Sequence, residues 1–171
     1  MTKTADIKRY QKVIYIIILA VSLLWCGAIL IAPFWHDSPG IQGTISEYTY
    51  SFFSKSCHQI DDRSLHLGQY KLGMCSRCTF IYFAFLLGVI TYPFIRKLNN
   101  FDLPPLYFLA IGAGLVAVDA GLNLFDVVQS SFVSREITGA ILGIILPFYI
   151  IPGTIRVFYE FYTPQKIITK K

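Results

Sequence analysis

The sequence predicts an all-α, polytopic integral membrane protein with four transmembrane helices and a Cys/His loop between the first two. Three observations predict it: a charge-poor composition, four apolar runs of spanning length, and basic residues gathered at one set of run ends. Of 171 residues, 54% are hydrophobic and 15% charged, and mean hydropathy is positive. Soluble domains carry about 25% charged residues. A small soluble helical protein with a large core would share the composition, but not four such runs.

The first run, Val13 to Phe34, contains no formal charge. About 20 apolar residues in a helix span the ~30 Å hydrocarbon core. Lys3, Lys8, Arg9 and Lys12 precede it, as in a signal peptide. The run is longer than a signal core of ~7–15 residues and has no small-residue cleavage site. Trp25 is too large to precede a lipoprotein cysteine at Cys26, so the segment is expected to remain as a helix. Ile41, Ile45, Tyr48 and Phe52 then recur at helical spacing, which predicts an amphipathic helix on the membrane surface. Asp61 to Gly73, with two glycines, reads as a loop or broken helix. Further apolar runs predict helices over 74–95, 104–128 and 132–158, giving with 13–34 a single four-helix domain over 1–171. Ala110/Gly114, Ala117/Gly121 and Gly139/Gly143 have the small-xxx-small spacing that lets membrane helices approach closely.

Lys and Arg near helix ends stay cytoplasmic. The N-terminal tail, Arg96 with Lys97, and Arg156 with Lys166, Lys170 and Lys171 all fall on one side of a four-span arrangement. In the long first connection, Lys55, Arg63 and Lys71 are offset by Asp37, Glu47, Asp61 and Asp62. Both termini are expected inside and the Cys/His loop outside the cell membrane. The net charge of +5 is thus a topology signal; nucleic-acid binding is excluded and the lipid bilayer is the partner. A protein partner or homo-oligomer is left open.

The loop from Cys57 to Cys78 holds three of the four cysteines and two of the three histidines. Cys57, His58, Cys75 and Cys78 are the residue types of a Cys₃His site, and the two-residue gap from Cys75 to Cys78 lets both sulfurs reach one tetrahedral ion. Soft thiolates with an imidazole favour Zn²⁺. Adjacent ligands at 57 and 58 strain the backbone, so His66 is a spare nitrogen ligand. Gln59 and Arg63 are candidate orienting groups around the ligands.

Two alternatives stand beside metal binding. Outside the cell vicinal cysteines tend to oxidise, and a C-x-x-C at a helix N-terminus has lowered thiol pKa values. Cys75 and Cys78 would then be a redox pair with Cys57 as partner, resembling in organisation the quinone-coupled disulfide-generating membrane enzymes, with a quinone as cofactor near Tyr82. Those enzymes usually have a second pair, and Cys26 lies too deep to complete one. A disulfide that only staples the loop is the other alternative. Arg77 opposes the macrodipole at a helix N-terminus, so it is expected to stabilise a thiolate or grip an anion.

Cys57-His58-Gln59, Arg63-Ser64, Gly73, Cys75-x-Arg77-Cys78, Tyr82, Gly88, Asp119, Arg135 and Gly139 resemble the signature of a family of small polytopic membrane proteins of bacteria and archaea, known as a domain of unknown function. The resemblance covers roughly Phe52 to Gly143. Asp61-Asp62 stands where that family often has a proline, and Phe80 where glycine is common. The resemblance implies an architecture and a candidate site, but no activity.

Asp119, Asn123 and Asp126 form an i, i+4, i+7 stripe within the third run. Ionisable groups at membrane depth are costly and usually face a bundle interior or wet cavity. A hydrated pocket reaching from the loop to Asp119 is expected, with Asn123 as its hydrogen-bond partner and Asp126 paired to Arg135. Asp119, Arg77 and Arg135 are the candidate catalytic residues, and Asp119 with Asn123 supports a third reading, a small transporter. Zinc-protease, nucleophile-elbow and phosphate-loop motifs are missing from the sequence, so no enzyme class is assigned.

Overall fold

The computed structural model describes residues 2–100, 102–125 and 131–162, with side chains from residue 9 to residue 160 within those ranges. The chain is mostly helical. Its helices are α1 (Thr2–Phe34), α2 (Ile41–Ser54), α3 (Ser76–Ile95), α4 (Leu106–Leu124), α5 (Phe132–Ile145) and α6 (Pro147–Tyr162). Among the described residues, four stretches are long and apolar enough to cross a membrane: Arg9–Phe34, Ser76–Ile95, Leu106–Leu124 and Phe132–Glu160. These match the four expected spans.

The fourth run is two helices where one was expected. Pro147 has no N–H to continue the ladder of α5, and its fixed φ suits the first position of a new helix. The chain therefore breaks at Leu146 and resumes as α6. The fully buried Pro147 packs against Gly88 of α3, where an added Cβ would lie 2.8 Å from the proline ring.

The segment after α2 also departs from expectation. In place of a loop or broken helix there is a 3₁₀ turn, Asp61–Arg63, followed by an antiparallel hairpin of β1 (Ser64–Leu67) and β2 (Tyr70–Cys75). Leu67 pairs with Tyr70 and His66 with Lys71. The two-residue turn needs Gly68, whose φ of +66° is readily available only to glycine. His36 stacks on Tyr70 at 4.3 Å between ring centroids, and the Tyr70 hydroxyl donates to Asp37. The hairpin is thereby pinned to the end of α1.

α3 is the hub of the bundle, packing on α1, α5 and α6, while α4 leans mainly on α5. The α3–α5 contact is close because α5 offers glycine. A Cβ at Gly139 would sit 2.6 Å from the Arg77 carbonyl oxygen, and one at Gly143 would strike the Ile81 carbonyl and lie 2.9 Å from Ala84. Gly114 and Gly121, in contrast, meet nothing within 4 Å. Of the three expected pairs, Gly139/Gly143 therefore has the close-packing role among the described residues. Gly139→Ala and Gly143→Ala are expected to destabilise the protein by about 1–3 kcal/mol each, the cost of overpacking, with Gly114→Ala and Gly121→Ala near neutral. Thermal unfolding in detergent checks the contrast.

Two buried clusters result. Ile14, Val89, Tyr92, Ile151 and Ile155 join α1, α3 and α6. Ile29, Phe53, Cys57, Leu72 and Met74 form the second, directly around the cysteines.

Candidate metal centre

Three elements deliver three sulfurs to one point. Cys57 follows the last turn of α2, its N–H donating to the Phe53 carbonyl at 2.9 Å. Cys75 ends β2 and occupies the N-cap position of α3, with extended backbone. Cys78 lies three residues on, in the first turn of α3. Their ligand atoms all lie within 4.8 Å of one another. Zn–S bonds are ~2.3 Å, so a modest contraction seats all three thiolates on one ion.

The backbone around the cluster is clasped by Gln59. Its Nε2 donates to the Tyr50 carbonyl at 2.9 Å and the Gly73 carbonyl at 2.8 Å, while Lys71 Nζ donates to the Gln59 carbonyl at 2.7 Å. These bonds hold Gln59 at φ +48°, the left-handed region that non-glycine residues seldom enter. Gly73 lets Phe53 approach, since a Cβ there would lie 3.0 Å from the ring. Gln59, expected beside the ligands, is by its contacts the brace between α2 and β2.

The cluster is electrostatically prepared for one negative charge. Hydrogen bonds from the Cys75 and Cys78 thiols pull the Cys57 thiol well below the ordinary thiol range, against the opposing effect of burial. The Cys75 N–H also donates to Cys57 Sγ at 3.2 Å. As the donor in that pair, the Cys75 thiol is pushed up.

His58 is not brought into this group. It is exposed, and its ring nitrogens are not among the clustered ligand atoms. His66, the spare ligand, faces Asp61 at 3.4 Å and is likewise outside. Arg63 is exposed at the end of the 3₁₀ turn. Cys26 is buried deeper in α1, its thiol donating to the Tyr82 carbonyl at 3.5 Å.

The family model described as "Predicted membrane protein (DUF2085)" matches residues 57–149. The chain belongs to this family. The matched DUF2085 region begins at Cys57 and contains all three clustered cysteines, together with Arg77, Asp119 and Arg135. An uncharacterized protein of Methanocaldococcus jannaschii, MJ1492, is 34% identical over 153 residues, covering 88% of this chain and 98% of that protein. No solved structure matches the chain.

Beside the cysteines, this DUF2085 chain carries an ion pair not expected from the sequence. Arg77 pairs with Asp119, and the Ser134 hydroxyl donates to the same carboxylate. The two charged side chains are only 18% and 12% exposed. Asp119 therefore joins α3, α4 and α5, and its partners among the described residues are Arg77 and Ser134 rather than Asn123. Arg77 answers the carboxylate of another helix, which accounts for a cation in the first turn of α3. Arg135 is buried and within electrostatic reach of Arg63, Arg77, Asp119 and Cys75. Asp126, its expected partner, lies outside the described residues. The signal for the Arg77–Asp119 pair was present: an arginine at one apolar helix and an aspartate inside another each need a countercharge.

Proposed function

We propose that Cys57, Cys75 and Cys78 form a three-thiolate zinc centre in this membrane protein. The observation that carries the reading is the meeting of three free sulfurs from α2's end, β2 and α3 within 4.8 Å. A staple needs two sulfurs and leaves the third without purpose. Thiolate softness selects zinc among the hard and borderline cations, and Gln59 is the brace that sets the ligand spacing. The fourth ligand is either His58, drawn in from its exposed position, or water. His58→Ala separates these: with His58 as ligand it loses most of the metal, with water it keeps it. A site closed by His58 is structural, whereas an open water position is what metal-assisted hydrolysis requires.

One observation supports a second reading, thiol–disulfide exchange. Hydrogen bonds from the Cys75 and Cys78 thiols lower the Cys57 pKa, and its Sγ also accepts from the Cys75 N–H at 3.2 Å; the thiolate is the attacking form. Oxidation of two of the three thiols to a disulfide would pass two electrons and two protons to a quinone, giving the quinol. Elemental analysis of detergent-purified protein with a parallel free-thiol count tests both. Zinc at one per chain, with thiols that react only after chelation, supports the metal centre. Metal-free protein whose disulfide a quinol reduces supports exchange; a disulfide that quinol leaves unchanged removes both and leaves the staple. The transport reading loses force, because the charge of Asp119 is met by Arg77.

The orientation we infer from the basic residues places the cysteines outside and both termini in the cytoplasm. Cys57, after reduction and chelation, should react with a membrane-impermeant thiol reagent applied from outside, and Asn99→Cys should react only from inside. The reverse labelling pattern overturns the orientation.

A further inference from the structure

Trp25 and Phe53 each face two ways. On one side they pack into the cluster around Cys57, and Trp25 also meets Tyr82 of α3 at 5.4 Å between ring centroids. On the other they wall an open groove of about 440 Å³ between α1 and α2. Val21, Leu24 and Ala28 of α1 and Tyr48 and Thr49 of α2 also line it. That size is in the range of ligand pockets, ~300–1,000 Å³.

The lining selects hydrocarbon over polar groups. Thr49 donates its hydroxyl to the Ile45 carbonyl of its own helix at 2.7 Å, so it offers a ligand little. Leu24 is 75% and Tyr48 73% exposed, so the groove opens onto the surface that the first span presents to the bilayer. Ile41 and Phe52 extend the same apolar surface along α2. In water, a contiguous apolar face of this kind would be a liability; at a membrane it is continuous with the lipid contact already made by α1. The side remote from lipid is closed by aromatic rings that touch the cysteine cluster.

We propose that this groove is a binding site for one hydrocarbon chain of a bilayer lipid, seated against Trp25 and Phe53 beside the cysteines. A chain held there lies along α2, with the rings of Trp25 and Phe53 between it and the cysteines. The site goes beyond the metal reading and does not require an ion.

Native mass spectrometry of the full chain released from detergent tests the proposal. The wild type should retain one phospholipid or glycolipid per chain through delipidation. Ala28→Phe, which fills the groove, and Leu24→Trp, which closes its exposed lip, should each lower retention at least about tenfold, Leu24→Trp with metal content and melting temperature unchanged. Ile111→Trp, on an exposed face of α4 away from the groove, should retain lipid as the wild type does. Should Ala28→Phe fail to fold, Leu24→Trp decides, since its position is exposed. Absence of retained lipid in the wild type, retention unaffected by both groove variants, or retention of a quinone in place of a lipid would overturn the proposal. Failure of the metal reading appears separately, as missing zinc in protein that still holds its lipid.

Discussion

Cys78→Ser is expected to purify with less than about a tenth of the wild-type zinc, and Cys57→Ser and Cys75→Ser to do the same. Even outer partners of metal ligands cost ~10–100-fold in affinity when removed, and a thiolate ligand lost outright costs more. The substitution is small in volume, so packing is nearly preserved. What changes is the soft anionic donor, which a serine hydroxyl does not replace at neutral pH. The same variants should lose thermal stability, because the ion would tie three separate elements together and metal binding free energy is then folding free energy. Cys26→Ser is the internal control. Cys26 is buried in α1 and apart from the cluster, so its loss should leave the zinc untouched. Elemental analysis of all four variants after one purification reads the result. Equal metal in Cys78→Ser and Cys26→Ser would sink the three-thiolate centre.

The four spans were legible because each is a sustained apolar run, and hydrocarbon imposes a length that a sequence displays directly. The amphipathic α2 was legible for a related reason: Ile41, Ile45, Tyr48 and Phe52 repeat at the helical period. The hairpin was not read, though Gly68-Gln69 between Leu67 and Tyr70 is the two-residue glycine turn that joins short strands. Its strands are four and six residues long, too short for alternation to stand out against the glycines. The break at Leu146 went unread because Pro147 lies inside a run that is apolar throughout, and hydropathy is blind to a missing N–H. At the site, the cysteine spacing showed which sulfurs would meet. His58 was assigned by residue type alone; the backbone between Cys57 and the clasped Gln59, which leaves that ring exposed, is set by hydrogen bonds to Tyr50 and Gly73 that no local pattern encodes.

Asp119→Asn is expected to destabilise the protein by about 3–5 kcal/mol, the cost of removing one partner from a buried ion pair. The sequence alone places Asp119 at the floor of a hydrated pocket, with Asn123 as its partner. The structure alters that expectation through Arg77. Neutralising the carboxylate leaves a guanidinium only 18% exposed without its countercharge, and its Nε already has no hydrogen-bond partner among the described residues. The Ser134 hydroxyl can still donate to the asparagine carbonyl, so the loss is chiefly of charge. Because α4 leans mainly on α5, the bond from Asp119 to Arg77 of α3 is a principal tie between α4 and the hub of the bundle. Arg77→Met with Asp119→Leu removes both charges together, and buried pairs replaced by apolar residues of similar size are often neutral or more stable. The double variant should therefore recover most of the stability lost by Asp119→Asn. Thermal unfolding in detergent, run alongside zinc analysis, separates structure from chemistry. Recovery of both stability and zinc in the double variant assigns the pair to helix docking. Recovery of stability with zinc still lost assigns Arg77 to positioning the adjacent cysteines, and an Asp119→Asn protein as stable as the wild type would show that the pair does not hold α4 in place.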